Sequence, residues 1–169
     1  MNLIPKVKLI ELYDGFLKKK MICLPEKEMD GRLEAAVKKL PCDPNGVKLE
    51  VIIDNGSADC GVNVDVKVNN ECEGYELHIS EDLISIRASQ PVGAFFAIQT
   101  LRQLFKEDQV PCLYIKDWPD FAYRGFYHDV TRGRIQTVDT IKKLVDDMAY
   151  YKLNSLQLYV EHVFEFEET

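Results

Sequence analysis

The feature that most constrains the fold is a strand–helix–strand pattern in the last third of the chain. Residues 123–130 and 155–160 predict strands, and residues 137–151 between them repeat apolar side chains at helical spacing, after the natural N-cap Thr137. Short links on both sides of the helix favour one βαβ unit with parallel strands. Such strands need further neighbours, so we expect residues 117–169 to be a truncated start of a larger barrel.

The preceding part of the chain predicts a separate α+β domain. Its expected strands cover 6–12, 49–53, 62–68, 75–79, 83–88 and 112–115, and its expected helices cover 28–40 and 91–105. Turns are expected around Asp14-Gly15. The short link 80–82 predicts an antiparallel hairpin, so the sheet is expected to be mixed or antiparallel and covered by two helices. We place the domain boundary between residues 116 and 117, where the pattern changes.

Charge and composition exclude several classes of protein. The chain has 169 residues and a formal net charge of -7, with charges of both signs interspersed, which argues against a nucleic-acid partner. Nothing in it is long and apolar enough for a signal-peptide core or a membrane span, so we expect a cytoplasmic protein without membrane contact. Five cysteines without close pairing and three histidines predict neither a metal site nor a cofactor.

Two segments resemble the β-N-acetylhexosaminidases of glycoside hydrolase family 20. Residues 74–80, 84–86 and 93–104 are similar to the family's N-terminal accessory domain, in which a strand pair leads into a helix. Residues 115–132, with Arg124-Gly125 followed by Asp129 and Arg132, resemble the family's entry into its catalytic barrel. The resemblance continues into the first barrel helix and covers about residues 74–161. It departs at residues 157–163, where the family often has a run of histidines and aspartates.

The resemblance implies an activity and a mechanism. Members of the family remove terminal N-acetylhexosamine from glycans with retention, and the acetamido group of the substrate takes the place of a second catalytic carboxylate. An adjacent Asp-Glu pair on a later barrel strand orients that group and donates the proton. No matching pair lies in residues 117–169, so we predict that this chain contains no catalytic residue and has no activity by itself. The resemblance also implies a glycan as the partner of the longer protein.

Candidate substrate contacts follow from the resemblance and from barrel geometry. The arginine at the start of the family's first barrel strand donates hydrogen bonds to sugar hydroxyls, which assigns that role to Arg124. Barrel sites lie at the carboxyl ends of the strands, so weaker candidates are Asp129 and Arg132 after the first strand and Glu161 and His162 after the second. The alternatives are a structural ion pair for Arg124, and pairing of Asp129 and Arg132 with each other or with neighbouring loops.

Three readings of the whole protein stay open from the sequence. The first is the family 20 hydrolase described above. The second is a non-catalytic carbohydrate-binding or interaction module, and the third is a related family of retaining glycosidases with a similar accessory domain. In each case the isolated chain is expected to self-associate, or to fold back on itself, through the uncovered face of residues 117–169.

Overall fold

The computed structural model describes residues 2–24, 29–54 and 73–161. The chain divides into two compact units, Met1–Ala122 and Tyr123–Thr169. The first unit contains the strands β1 (Leu9–Phe16), β2 (Ile22–Cys23), β3 (Val47–Ile53), β4 (Tyr75–Ile79), β5 (Leu83–Ala88) and β6 (Pro111–Asp117), with the helices α1 (Gly31–Val37) and α2 (Pro91–Leu104). The second contains β7 (Gly125–Asp129), α3 (Val138–Tyr150) and β8 (Ser155–Tyr159).

The strands of the first unit form a mixed sheet in the order β1-β6-β4-β5-β3-β2. Antiparallel pairing joins β1 to β6, β6 to β4 and β4 to β5, whereas β3 runs parallel to both β5 and β2. The predicted hairpin of β4 and β5 and the mixed α+β class are therefore confirmed. The expected strand at 62–68 lies outside the described residues.

Both helices of the first unit pack on the same core. Helix α2 lies against β3, β4 and β5, and α1 packs beside α2. As predicted, Pro91 occupies the first turn of α2, where its missing N–H costs nothing. Ile98 and Leu101 of α2 are fully buried against the sheet, and α1 adds the buried side chains of Leu33 and Val37.

Two predictions for the first third of the chain were partly wrong. Strand β1 begins at Leu9 and runs on to Phe16, so the expected turn at Asp14-Gly15 is an irregularity inside a strand. Its pairing with β6 shifts register between Leu12 and Phe16, and Gly15 has the positive φ of 99° that such an irregularity accommodates in glycine. Helix α1 is shorter than the expected 28–40. It begins after Asp30, whose side chain caps it by accepting a hydrogen bond from the backbone N–H of Arg32, and it ends at Val37.

Asp117 belongs to the sheet of the first unit. It is the last residue of β6 and only 6% exposed. Its carboxylate accepts hydrogen bonds from the Tyr75 hydroxyl at 3.0 Å and from the Lys8 backbone N–H at 3.2 Å. These bonds tie Asp117 into the first sheet, and the two compact units divide after Ala122.

The second unit is the predicted βαβ arrangement. Strands β7 and β8 are parallel and in register from Gly125 opposite Ser155 to Asp129 opposite Tyr159. Helix α3 connects them, and the Thr137 side chain caps it by accepting a hydrogen bond from the backbone N–H of Thr140. Parallel pairing places the carboxyl ends of both strands at one edge, which is where the candidate contacts were expected.

Candidate functional site

Three of the predicted site residues meet at the carboxyl ends of β7 and β8. Asp129 is the last residue of β7, Arg132 lies three residues further on, and Glu161 follows β8. The Arg132 Nε atom lies 2.8 Å from Asp129 Oδ2 and 3.4 Å from Glu161 Oε2. One guanidinium therefore lies between two carboxylates and connects the ends of both strands.

Asp129 is held in its ionised form. Its Oδ1 atom accepts hydrogen bonds from the backbone N–H groups of Thr131 at 2.9 Å and Arg132 at 3.0 Å. These two bonds, and the bond from the Arg132 guanidinium, lower the pKa of Asp129 below its usual value. At neutral pH this carboxylate can accept hydrogen bonds from hydroxyl groups, but it is not suited to act as a general acid.

Tyr159 and Thr131 complete the cluster. The Arg132 guanidinium lies 5.3 Å from the centre of the Tyr159 ring, within the range of a cation–π contact. The Thr131 hydroxyl accepts a hydrogen bond from the backbone N–H of Glu161 at 2.9 Å and lies 3.4 Å from the carbonyl of Tyr159. The sequence analysis did not single out Thr131. The only signal for it was its position directly after the predicted strand 123–130.

Arg124 lies at the opposite end of the same strand. It precedes β7, and the strand rise separates it from Asp129 by about 16 Å. Its Nε atom donates to the carbonyl of Lys152 at 2.8 Å, and its backbone N–H donates to Asn154 Oδ1 at 3.0 Å. The backbone N–H of Asn154 in turn donates to the Arg124 carbonyl at 2.9 Å. In this chain Arg124 therefore anchors the turn before β8 to the start of β7.

The remaining candidate of the sequence analysis, His162, lies outside the described residues. His128, which the sequence did not single out, stacks on Phe126 with ring centres 5.9 Å apart, and its buried Nε2 atom has no hydrogen-bond partner. Within residues 2–24, 29–54 and 73–161, no three His, Cys, Asp or Glu side chains are grouped so that they could hold a metal ion. No helix in that part of the chain has the length and apolarity to cross a bilayer.

Two family models match the chain, one after the other. The model described as glycosyl hydrolase family 20, domain 2, matches residues 1–118. The model described as glycosyl hydrolase family 20, catalytic domain, matches residues 121–164. The first match alone covers more than half of the chain. The gap between the two matches lies just before the division observed after Ala122.

Curated relatives and solved structures agree with these matches. A β-hexosaminidase of Porphyromonas gingivalis is 33% identical over 171 residues, which cover 90% of this chain and 22% of that protein. An N,N'-diacetylchitobiase of Vibrio harveyi is 42% identical over 89 residues, covering 51% of this chain and 10% of that protein. The chain thus spans about a tenth to a fifth of the length of these relatives.

A solved structure extends the likeness to the fold. The exo-β-N-acetylglucosaminidase of Vibrio harveyi, in complex with N-acetylglucosamine, superposes with a TM-score of 0.67 at 24% identity. The superposition covers 93% of this chain and 25% of that protein. It shows that both units have counterparts in a larger fold.

Proposed function

Because the chain belongs to glycosyl hydrolase family 20, we propose that it works within a longer polypeptide that removes terminal N-acetylglucosamine or N-acetylgalactosamine from glycans. Hydrolysis retains the anomeric configuration and uses the acetamido group of the substrate. In this proposal residues 1–116 belong to the accessory α+β domain, whose sheet ends at Asp117, and the first βαβ part of the catalytic barrel lies within residues 117–169. The chain by itself carries no catalytic pair and is inactive.

The observation that carries this proposal is the grouping of polar side chains where β7 and β8 end side by side. Functional groups of such barrels gather at the carboxyl ends of parallel strands, and here Asp129, Arg132 and Glu161 do so. An ionised carboxylate can accept hydrogen bonds from sugar hydroxyls, and the guanidinium beside it can donate hydrogen bonds to them. In the longer protein we assign Arg132 and the two carboxylates to the rim of the sugar site, and His162 remains a weaker candidate from the sequence alone.

The family resemblance also assigns a direct sugar contact to Arg124, although it lies at the start of β7 and not at the end where Asp129 and Arg132 meet. Its guanidinium has five N–H donors in a planar fork, which suits vicinal hydroxyls. The bond from Nε to the Lys152 carbonyl uses one donor and fixes the plane of the guanidinium. A fixed plane reduces the entropy lost when the arginine binds a hydroxyl group.

Hydrolysis of aryl glycosides tests the proposal. The longer protein is expected to release nitrophenol from the 4-nitrophenyl β-glycosides of N-acetylglucosamine or N-acetylgalactosamine, but not from the corresponding glucoside, which lacks the acetamido group. The 169-residue chain is expected to release none from any of the three. Equal turnover of the glucoside would exclude the substrate-assisted mechanism, and turnover by the repurified chain alone would contradict its assignment as inactive.

A non-catalytic carbohydrate-binding protein is the alternative that the same assay separates. Such a protein would bind N-acetylglucosamine without cleaving the aryl glycoside at any concentration. The related family of retaining glycosidases is set aside, because both units match family 20.

A further inference from the structure

Strand β1 leaves one edge of the six-stranded sheet open. Among the described residues it pairs only with β6, and no strand lies on its other side. It is eight residues long, whereas β2 at the opposite edge has only two. A long edge strand presents unpaired backbone N–H and C=O groups, which are a template for another extended chain.

The side chains of β1 do not include the residue types that most often protect an edge strand. Natural edge strands are commonly protected by lysine or proline, and Leu9–Phe16 contains neither. All of its large hydrophobic side chains are exposed: Leu9, Ile10, Leu12, Tyr13 and Phe16, with Leu12 at 63%. An edge of this kind is suited to a partner that adds a strand to the sheet.

The two faces of the edge differ in chemistry. Ile10 and Leu12 lie opposite Ile115 and Leu113, which are fully buried, so these two side chains point to the helix-covered face. Glu11 lies opposite Tyr114 on the other face. An added strand would therefore meet apolar side chains on one face and a carboxylate on the other, in alternation.

The charges on β1 indicate the sign of the partner. The strand carries two acidic residues, Glu11 and Asp14, and no basic residue. Pairing the β1 strands of two copies would bring four carboxylates together, which disfavours a second copy of this chain as the occupant. A strand with basic residues would instead be complementary to this edge.

We propose that the open edge of β1 binds an extended polypeptide segment in which apolar and basic residues alternate. The segment adds a seventh strand to the sheet, with apolar side chains beside Ile10 and Leu12 and a lysine or arginine opposite Glu11. This activity goes beyond the hydrolase function and does not depend on it. The register shift after Leu12 limits the regular part of the edge to Leu9–Leu12, so a short segment is sufficient.

Fluorescence anisotropy with three labelled heptapeptides tests the chemistry. The first alternates lysine and valine, Lys-Val-Lys-Val-Lys-Val-Lys; the second replaces each lysine by glutamate; the third has the composition of the first with its three valines placed together. The alternating lysine peptide is expected to bind about ten-fold more tightly than either of the others. Equal binding of the two lysine peptides would mean attraction to the net charge only, and would overturn the proposal.

A charge variant and a matched control locate the site. Glu11→Lys is expected to weaken the alternating lysine peptide about ten-fold and to favour the glutamate peptide. Glu50→Lys makes the same change of charge on β3, four strand spacings or about 19 Å away, and is expected to leave the preference unchanged. Equal effects of the two variants would show that the peptide does not bind at β1.

Hydrogen exchange gives a readout that does not depend on charge. The Lys8 N–H points towards β6, where it donates to Asp117, so by alternation the N–H groups of Ile10 and Leu12 also face β6 and those of Leu9 and Glu11 face the open edge. Bound peptide is expected to slow exchange at Leu9 and Glu11. Slower exchange at other strands with no change at these two amides would contradict strand addition.

Discussion

At the scale of single residues, mutagenesis can separate the structural role of Arg124 from its proposed contact with the sugar. The structure places its Nε atom on the Lys152 carbonyl and its backbone N–H on the Asn154 side chain. Both bonds connect the start of β7 to the turn before β8. A sugar contact by the same guanidinium is a prediction that rests on the family resemblance.

Arg124→Ala in the longer protein is expected to lower kcat/KM about ten-fold to a hundred-fold, because each lost bond from a charged donor costs about 1.5–3 kcal/mol. Asn154→Ala is the matched control, since it loosens the same strand end without changing the guanidinium. Steady-state kinetics and thermal melting of both variants are the measurements. Normal kinetics for Arg124→Ala, with a melting temperature lowered by several degrees, would show that Arg124 is structural only.

Tyr114 makes the stability of the first unit depend on alkaline pH. Burial and the neighbouring Glu76 carboxylate raise its pKa to about 12. Below pH 10 the tyrosine is protonated in both the folded and the unfolded chain. Between pH 10 and about 12 only the unfolded chain loses this proton, so stability is lost as the pH rises through that window.

Tyr114→Phe is expected to remove this part of the pH dependence. The free energy of unfolding of the parent chain should fall by about 2–3 kcal/mol more than that of the variant between pH 10 and 12. Urea unfolding at several pH values measures the difference. Glu76→Gln removes the carboxylate and keeps the tyrosine, so it should narrow the pH range over which stability falls. Identical pH profiles for Tyr114→Phe and the parent would show that Tyr114 does not titrate as expected.

Local sequence patterns predicted some of these residue contacts and missed others. The cap at Thr137 and the pairing of Asp129 with Arg132 lie within three residues, so a short motif is enough to identify them. The bond from Arg124 to Lys152 joins residues 28 apart and ends on a backbone carbonyl. Any residue type can supply that carbonyl, and no sequence pattern points to it.

At the scale of secondary-structure elements, Gly93 determines how closely α2 approaches the sheet. A Cβ atom at this position would lie 2.3 Å from the carbonyl oxygen of Gly74 and 3.1 Å from Ala88 Cβ. The first distance is to backbone, which cannot rotate away. The helix and the chain leading into β4 therefore pack at a separation that only glycine allows.

Gly93→Ala is expected to destabilise the chain by about 1–3 kcal/mol, the usual cost of overpacking a core. Gly31→Ala is the matched control, because a Cβ atom there meets nothing within 4 Å, and alanine at the start of α1 should be neutral or slightly stabilising. Thermal and urea unfolding of both variants measure the effect. Equal stability of the two would mean that α2 can shift to accept the methyl group.

Element types were easier to predict than element neighbours. The apolar repeats of α2 and the hairpin of β4 and β5 are local features, and both were found at nearly the observed positions. The parallel pairing of β3 with β5 joins segments that residues 54–82 separate along the chain, and periodicity carries no information about such pairing. The prediction of a turn at Gly15 was wrong, because a glycine with positive φ occurs in strand irregularities as well as in turns.

At the scale of the whole molecule, burial is distributed unevenly between the two units. The described part of the first unit has a continuous hydrophobic core that includes residues of every strand except β1 and of both helices. Among residues 123–161, Met148 is the only buried hydrophobic side chain. Val138, Ile141 and Val145 of α3 line an open depression of about 430 Å³. Local stability follows buried apolar contact, so the second unit should open first.

Native-state hydrogen exchange measures this difference directly. Amides of α3 and β8 are expected to exchange at lower denaturant than those of β3 and β5, because opening the second unit exposes little apolar surface and costs correspondingly little free energy. Self-association through the depression on α3 would slow exchange there, so the experiment is run at two protein concentrations. The variant Val145→Lys should abolish any difference in exchange between the two concentrations. If α3 and β3 exchanged together at both concentrations, the two units would unfold as one cooperative body and the inferred division of stability would be wrong.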